Sequence, residues 1–239
     1  MTDLPPVVLP PLLGGQAESW KALVDLAPAF GDNWLLVGGQ MVFLHEVERS
    51  AADVRPTDDV DVVVDLRAEP AGLARIHASL SSASFSQDDP GPDGTAHRYR
   101  RGGATIDVLA PDNVGARAQL KLGSGRTIEA PGTSQAFHRR GIVSVEIDGA
   151  TAQIRRPDLV GAVLGKAAAV VKISSQSAAS RAKHLRDVDS LVRLLGGADR
   201  EDAELTKSER RMLTVLVDKS ELSDLGMASM NLLLGAGDA

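Results

Sequence analysis

The chain has 239 residues, 43% hydrophobic and 24% charged, with no cysteine; this composition fits one large globular domain, or a core with a modest appendage, and excludes disulfides, thiolate zinc sites, iron–sulfur clusters and cysteine nucleophiles. Its apolar runs fall short of the about 20 residues that span a bilayer, and its start, with four prolines and no basic residue ahead of the apolar stretch, does not read as a secretory signal, so a cytoplasmic setting without a membrane partner is expected. The net charge of −6 conceals a basic block: residues 96–186 carry +9 and the remainder −15, which suggests a surface for phosphates or nucleic acid, or equally for an acidic protein.

After the Pro-rich arm, residues 17–30 place Trp20, Leu23, Val24 and Leu26 mainly on one helical face, and Gly31-Asp32-Asn33 stops the helix. Trp34-Leu35-Leu36-Val37 then reads as a strand that turns at Gly38-Gly39 into a helix. In DDVDVVVDL the period of two puts Val60, Val62, Val64 and Leu66 on one face and Asp59, Asp61, Val63 and Asp65 on the other. A helix of about 14 residues is expected from Glu69, and a surface loop over 86–95, where Asp, Pro and Gly cluster. Alternation on both sides of Gly102-Gly103 predicts a hairpin whose second strand carries Asp107, and Asp148-Gly149 predicts another between strands at 142–147 and 151–154. One further strand is expected at 126–129. The rest reads as helical: one helix opened by Pro157-Asp158 and running through Lys172, a second capped by Ser180 and ending at Gly196-Gly197, a third with the capping box Thr206-Lys-Ser-Glu209, and a fourth over 221–234. The order is a mixed α/β half, residues 1–156, followed by a helical half, 157–239.

Three features carry chemistry. Gly38-Gly39 is either plain turn geometry or a place where backbone N–H groups meet phosphates. Asp59 and Asp61, at i and i+2 of a strand, share a face roughly 6.5 to 7 Å apart, which suits either solvent or one or two divalent cations. Asp107, flanked by Ile106 and Val108 on another strand, brings a third hard oxygen ligand of the kind that Mg2+ bridging a nucleoside triphosphate requires. Lys166 is the one charged residue between Asp158 and Lys172, on a face shared with Leu159, Ala162, Val163 and Val170, so it either snorkels or meets an anion. Lys183 and Asp187, four apart, read as an exposed ion pair. Aromatics are only 3%, which argues against stacking single-stranded bases, and the sequence contains no GxxxxGK[ST], G-x-S-x-G or H-E-x-x-H.

Gly38-Gly39 on a strand-to-helix turn, Arg55-Pro-Thr57-Asp-Asp59-Val-Asp61 in the pattern R-x-T-x-D-x-D, Ile106-Asp107-Val108-Leu109, Lys166-Ala-Ala-Ala and Arg186-Asp187 before a leucine-rich helix together resemble the AbiEii/MenT-type nucleotidyltransferase toxins, over roughly residues 33–195. The resemblance implies a DNA-polymerase-β-like nucleotidyltransferase core with a mixed sheet and a C-terminal helical bundle. It implies a Mg2+-dependent reaction at a two-metal site with a nucleoside triphosphate as substrate, an RNA acceptor, the tRNA 3′ end in relatives, and a cognate antitoxin of a type IV toxin–antitoxin system. Asp59 and Asp61 would hold two metals, with Asp107 sharing one and acting as general base. Lys166 would contact the triphosphate or steady the acidic cluster, Gly38, Gly39 and Thr57 would lie at the nucleotide, and Asp187 would fix a basic residue. Where the family often carries a second Asp, three residues after the position of Asp187, this chain has Ser190. Two other readings keep the same acids: an aminoglycoside-type small-molecule nucleotidyltransferase, which needs an acidic acceptor pocket, and a non-catalytic nucleotide-binding module.

Overall fold

The computed structural model describes residues 5–52, 56–115, 120–172, 177–219 and 222–235; Arg55 of the R-x-T-x-D-x-D pattern and Glu221 of the last expected helix lie outside them. The chain runs β1 (Val7–Val8), α1 (Gly14–Leu26), β2 (Trp34–Val37), α2 (Gly38–Glu48), β3 (Asp59–Val64), α3 (Gly72–Ser82), β4 (Ser86–Gln87), β5 (Arg98–Arg101) and β6 (Ala104–Pro111). Then come β7 (Lys121–Leu122), β8 (Gly125–Arg126), β9 (Glu129–Ala130), α4 (Thr133–Ala136), β10 (Arg140–Ile147) and β11 (Ala150–Pro157), and from there helices only: α5 (Leu159–Lys172), α6 (Ala178–Arg193), α7 (Gly197–Glu201), α8 (Lys207–Lys219) and α9 (Asp224–Gly235).

The main sheet has the order β2-β3-β6-β5-β4, with β9 paired to the end of β6. It is mixed: β3 and β6 are parallel, and β2 and β5 flank them antiparallel. The register sets Asp61 opposite Asp107 and Val37 opposite Asp61, so one face carries Leu35, Val63 and Leu109 at one end and the acidic residues, with Val37 beside them, at the other. The opposite face, with Val60, Val62, Val64, Ile106 and Val108, enters the main core together with Trp20, Leu23, Ile76 and Leu80. That cluster continues without a break into Leu159, Val163, Leu191, Leu213 and Leu233 of the helical half. A second sheet, β1-β10-β11, turns on the hairpin Asp148-Gly149, where both residues take positive φ (49° and 82°) as a two-residue turn of matching twist requires. Among the described residues no helix is long and apolar enough to cross a membrane.

Several boundaries differ from those read in the sequence, each for a local reason. α1 starts at Gly14 and tightens into a 3-10 turn at Ala27–Phe30, because Pro28 lacks the N–H that would continue the α-helix. α3 begins at Gly72, since the Asp65 carboxylate accepts the N–H groups of Arg67 and Ala68 and holds that stretch in a turn. The strand expected at 126–129 is split between β8 and β9: Thr127 turns inward and donates to the Val108 carbonyl. Pro157 closes β11 and Asp158 caps α5 through the Gly161 N–H at 2.6 Å, while the cap of α6 is Ser177, not Ser180, whose N–H it accepts at 3.1 Å. The Thr206–Glu209 capping box is present in both directions, at 2.8 and 3.2 Å.

The basic block is largely consumed internally. Arg100, Arg139, Arg155, Arg156 and Lys166 each pair with an acid from outside it, respectively Asp88, Glu209, Asp32, Glu48 and Asp187. Arg101 donates to the Ala83 carbonyl and lies over the Phe85 ring. The charge split that suggests a phosphate-tracking surface is therefore in good part the two ends of intramolecular ion pairs.

Candidate active site

The strand segment before β3 is clamped from two helices. Gln40 of α2 donates to the Thr57 carbonyl and accepts the Trp20 indole N–H at 2.6 Å. Ser19 of α1 donates to the Asp58 carbonyl at 2.6 Å and accepts the Thr105 N–H at 3.0 Å, tying the starts of the two acid-bearing strands together. Gln40 and Ser19 are fully buried, so these bonds fix the backbone from which Asp59 and Asp61 project.

The carboxylates of Asp59, Asp61 and Asp107 converge: one oxygen from each lies within 4.8 Å of the others. Thr57 Oγ1 donates to Asp59 Oδ1 at 2.9 Å. Burial works against ionisation of Asp59, but the Thr57 hydroxyl, its own backbone N–H, Lys183 and Arg98 hold its carboxyl below the ordinary value. Asp61 goes the other way. Loss of water, then the charges of Asp59 and Asp107, push it up to about 7, with Lys166 and Lys183 opposing. Three hard oxygen donors whose mutual repulsion is relieved by a cation between them fit a divalent ion such as Mg2+ or Mn2+, so the triad can hold a metal.

The glycine pair explains why the acids can sit so close to the start of a helix. Gly38 adopts φ +70°, and a Cβ there would lie 1.7 Å from Asp61 Oδ2; a Cβ on Gly39 would lie 2.8 Å from Thr57 Oγ1. Both glycines line a cleft of about 240 Å³ together with Asp59, Asp61, Lys166, Lys183 and His184, between the acidic face of the sheet and α4, α5 and α6. The N-terminus of α2, an 11-residue helix, opens onto this cleft. Thr57 stands behind Asp59 against Gly39 and does not line it.

Lys166 and Asp187 form a buried pair at 2.7 Å, with side chains 7% and 2% exposed. Lys166 does not snorkel; it meets an anion from the next helix. This corrects the reading of Lys183 with Asp187: Asp187 turns inward to Lys166, and Lys183, one turn earlier, points toward Asp59 and Asp61 from the cleft wall. Ser190 donates to Glu46 of α2, while Asp189 beside it accepts the backbone N–H and hydroxyl of Ser223, tying α6 to the start of α9.

Reading the sequence counts Arg98 with Arg100, Arg101, Arg139 and Arg140 of the basic block as a surface for phosphates or an acidic partner, and misses its place at the triad. It is opposite Asp107 in the hairpin and grips it with a two-pronged hydrogen bond, Nε to Oδ1 at 2.8 Å and Nη2 to Oδ2 at 2.6 Å. The hydrogen bond to Asp107 and the charges of Asp107, Asp59 and Asp61 raise its pKa above the ordinary value against the cost of burial. The signal was present: residues equidistant from a two-residue turn face each other, and Arg98 and Asp107 are equidistant from Gly102-Gly103.

No protein-family model and no curated protein matches the chain. Among solved structures, an antigenic nucleotidyltransferase-like protein from Paracoccidioides brasiliensis superposes with a TM-score of 0.57 at 16% identity, covering 95% of each chain. At that identity the likeness speaks for architecture: the chain has a nucleotidyltransferase-like fold, with an acidic triad able to hold metal on its central strands.

Proposed function

We propose that the chain is a Mg2+-dependent nucleotidyltransferase, the toxin of a type IV toxin–antitoxin system, which moves a nucleotide from a nucleoside triphosphate to an RNA acceptor, the 3′ end of a tRNA. The observation that carries the reading is the convergence of Asp59, Asp61 and Asp107 beside a glycine-lined helix start and two lysines. The fold likeness supports the reaction class, while the RNA acceptor and the antitoxin partner rest on the sequence resemblance. In this reading residues 1–156 form the transfer core and 157–239 the helical region that supplies the far wall of the cleft.

Mg2+ when bound would neutralise phosphate charge and align the attacking and leaving oxygens. Asp59 and Asp61 would hold it, and Asp107 would share it and take the proton of the attacking hydroxyl, which would bond to the α-phosphorus as its bond to the bridging oxygen breaks and pyrophosphate leaves. The first N–H groups of α2 would receive phosphate oxygens, which Gly38 and Gly39 permit by leaving the approach free of side chains. Lys183 would meet the triphosphate from the opposite wall, and Lys166, held by Asp187, would add a fixed positive charge facing Asp61. Catalysis of this kind works by positioning and charge and needs no covalent intermediate. A cationic small-molecule acceptor would want further acids in the cleft, and among the described residues its lining acids are Asp59 and Asp61 alone, set against two lysines.

The test is incubation of the full chain with each labelled nucleoside triphosphate, Mg2+ and total tRNA, followed by gel separation. Labelled RNA is the expected result. A folded protein that binds Mg2+ and triphosphate yet labels no RNA would refute the acceptor assignment.

A further inference from the structure

Arg98 already does to the triad what a metal ion would do. Its guanidinium occupies both oxygens of Asp107, and the same Nη2 lies 3.6 Å from Asp59 Oδ2. A carboxylate whose two oxygens are both engaged by a planar fork presents no well-directed lone pair to a second cation on that side, and two positive charges at this spacing repel. Asp61, by contrast, makes no hydrogen bond to Arg98, and Asp59 touches it only at the longer distance. The fork is also open to release, since the Arg98 side chain is 35% exposed, on a strand next to the one it grips.

We infer that Arg98 is a built-in counter-cation of the triad, mutually exclusive with a divalent ion bound through Asp107. One ion then loads on Asp59 and Asp61 with the fork closed. A second loads through Asp107 only when the fork opens, and a triphosphate is the group that takes the guanidinium over, its oxygens offering Arg98 the same two-pronged acceptor that Asp107 offers. The competition rests on the ion pair alone; the triphosphate as opener rests on the reading under Proposed function.

The probe is Mn2+, titrated into the full chain with free ion followed by electron paramagnetic resonance. Wild type is expected to show one tight class and a second at least tenfold weaker. In Arg98→Gln the second class should tighten at least tenfold with the first little changed. A non-hydrolysable nucleoside triphosphate should tighten the second class at least tenfold more in wild type than in the variant. Superimposable isotherms for wild type and Arg98→Gln overturn the competition, and so does a folded Arg98→Gln that binds no Mn2+, which would make Arg98 a support for the carboxylates. A tightened variant whose wild type ignores the nucleotide supports the competition and overturns the triphosphate as opener. Should Arg98→Gln fail to fold, the wild type decides: the Arg98 Nε–H and Asp107 carboxylate-carbon NMR resonances should both shift when Mg2+ and nucleotide are added together, as the guanidinium changes acceptor, and unchanged resonances overturn the inference.

Discussion

The chain places charge under cover on both sides of one cleft and satisfies it in opposite ways. On the helical side Lys166 and Asp187 are buried as a pair at 2.7 Å, and their charges cancel. On the sheet side Asp59, Asp61 and Asp107 crowd together, and among the described residues they meet the Arg98 guanidinium and the more distant lysines. The first arrangement is complete as it stands and holds two helices in register. The second is incomplete, and its excess of negative charge is the feature a metal and a phosphate can use. The difference shows that burial of charge marks a reactive site only where the neighbouring charges fail to balance.

The comparison predicts opposite signs for removal of one charge. Lys166→Met takes its lysine from the buried Asp187 carboxylate and should lower stability in chemical denaturation by at most about 3–5 kcal/mol, while Lys166→Met with Asp187→Leu should recover part of that loss. The sequence alone would make Lys166→Met harmless, as a methionine filling an apolar seam; the ion pair reverses that expectation. A single variant as stable as wild type would show that the pair is not a structural tie.

Asp61→Asn should instead stabilise the metal-free protein. The Asp61 carboxyl has an ordinary value of 3.8 and is pushed up to about 7 in the fold, so the folded chain holds this proton more tightly than the unfolded one. Its contribution is fully present below pH 4 and is lost as the pH rises through 7. Relative to Asp61→Asn, wild-type stability without metal should therefore fall across that window by a few kcal/mol, about 1.4 per pH unit; the comparison with the variant removes the opposite slope of buried His45, whose pKa desolvation lowers. Asp61→Asn should also abolish stabilisation by Mn2+. Parallel wild-type and variant profiles between pH 4 and 7 would sink the claim that the triad is strained.

Gly38→Ala attacks the same cluster from the backbone. Its φ of +70° costs an L-residue about 1–2 kcal/mol, and the new methyl must displace Asp61. The expected outcome is a modest drop in melting temperature with loss of Mn2+ binding, and retained binding would show that Asp61 is not a ligand. The smallest effect on metal binding is expected from Ser19→Ala, which removes the bridge between the Asp58 carbonyl and the Thr105 N–H. It should cost about 1–3 kcal/mol and weaken Mn2+ binding severalfold, and unchanged binding would show that the clamp does not position the acids.

How much of this could be read beforehand depends on the separation of the partners in sequence. The alternation around Asp59 and Asp61, the glycine turn and the two hairpins are local, and local chemistry specifies them. So was the opposition of Arg98 and Asp107, which requires only the centre of a two-residue turn. Contacts between distant segments were not legible: Asp187 follows Lys183 at helical spacing, yet it turns to Lys166 on another helix, and Arg156 of the basic block finds Glu48 on α2. Charge counted along the chain therefore exaggerates the charge left at the surface. The split of the 126–129 strand was hidden for the same reason, because the acceptor that draws Thr127 inward is the Val108 carbonyl on β6.

The strand at the beginning of the chain sets a schedule for folding. Val7 and Val8 pair in parallel with Val145 and Glu146, and the Leu9 N–H reaches the Glu146 carbonyl at 2.9 Å. On a ribosome the first strand therefore waits through the synthesis of the whole acidic sheet before its partner exists. Residues 5–12 carry four of the chain's prolines, which keep this waiting segment from forming a helix or joining another sheet too early. Closing so long a loop is slow relative to hairpin formation, so the β10–β11 hairpin should form before the arm docks on it, and β1 should be the last strand to join.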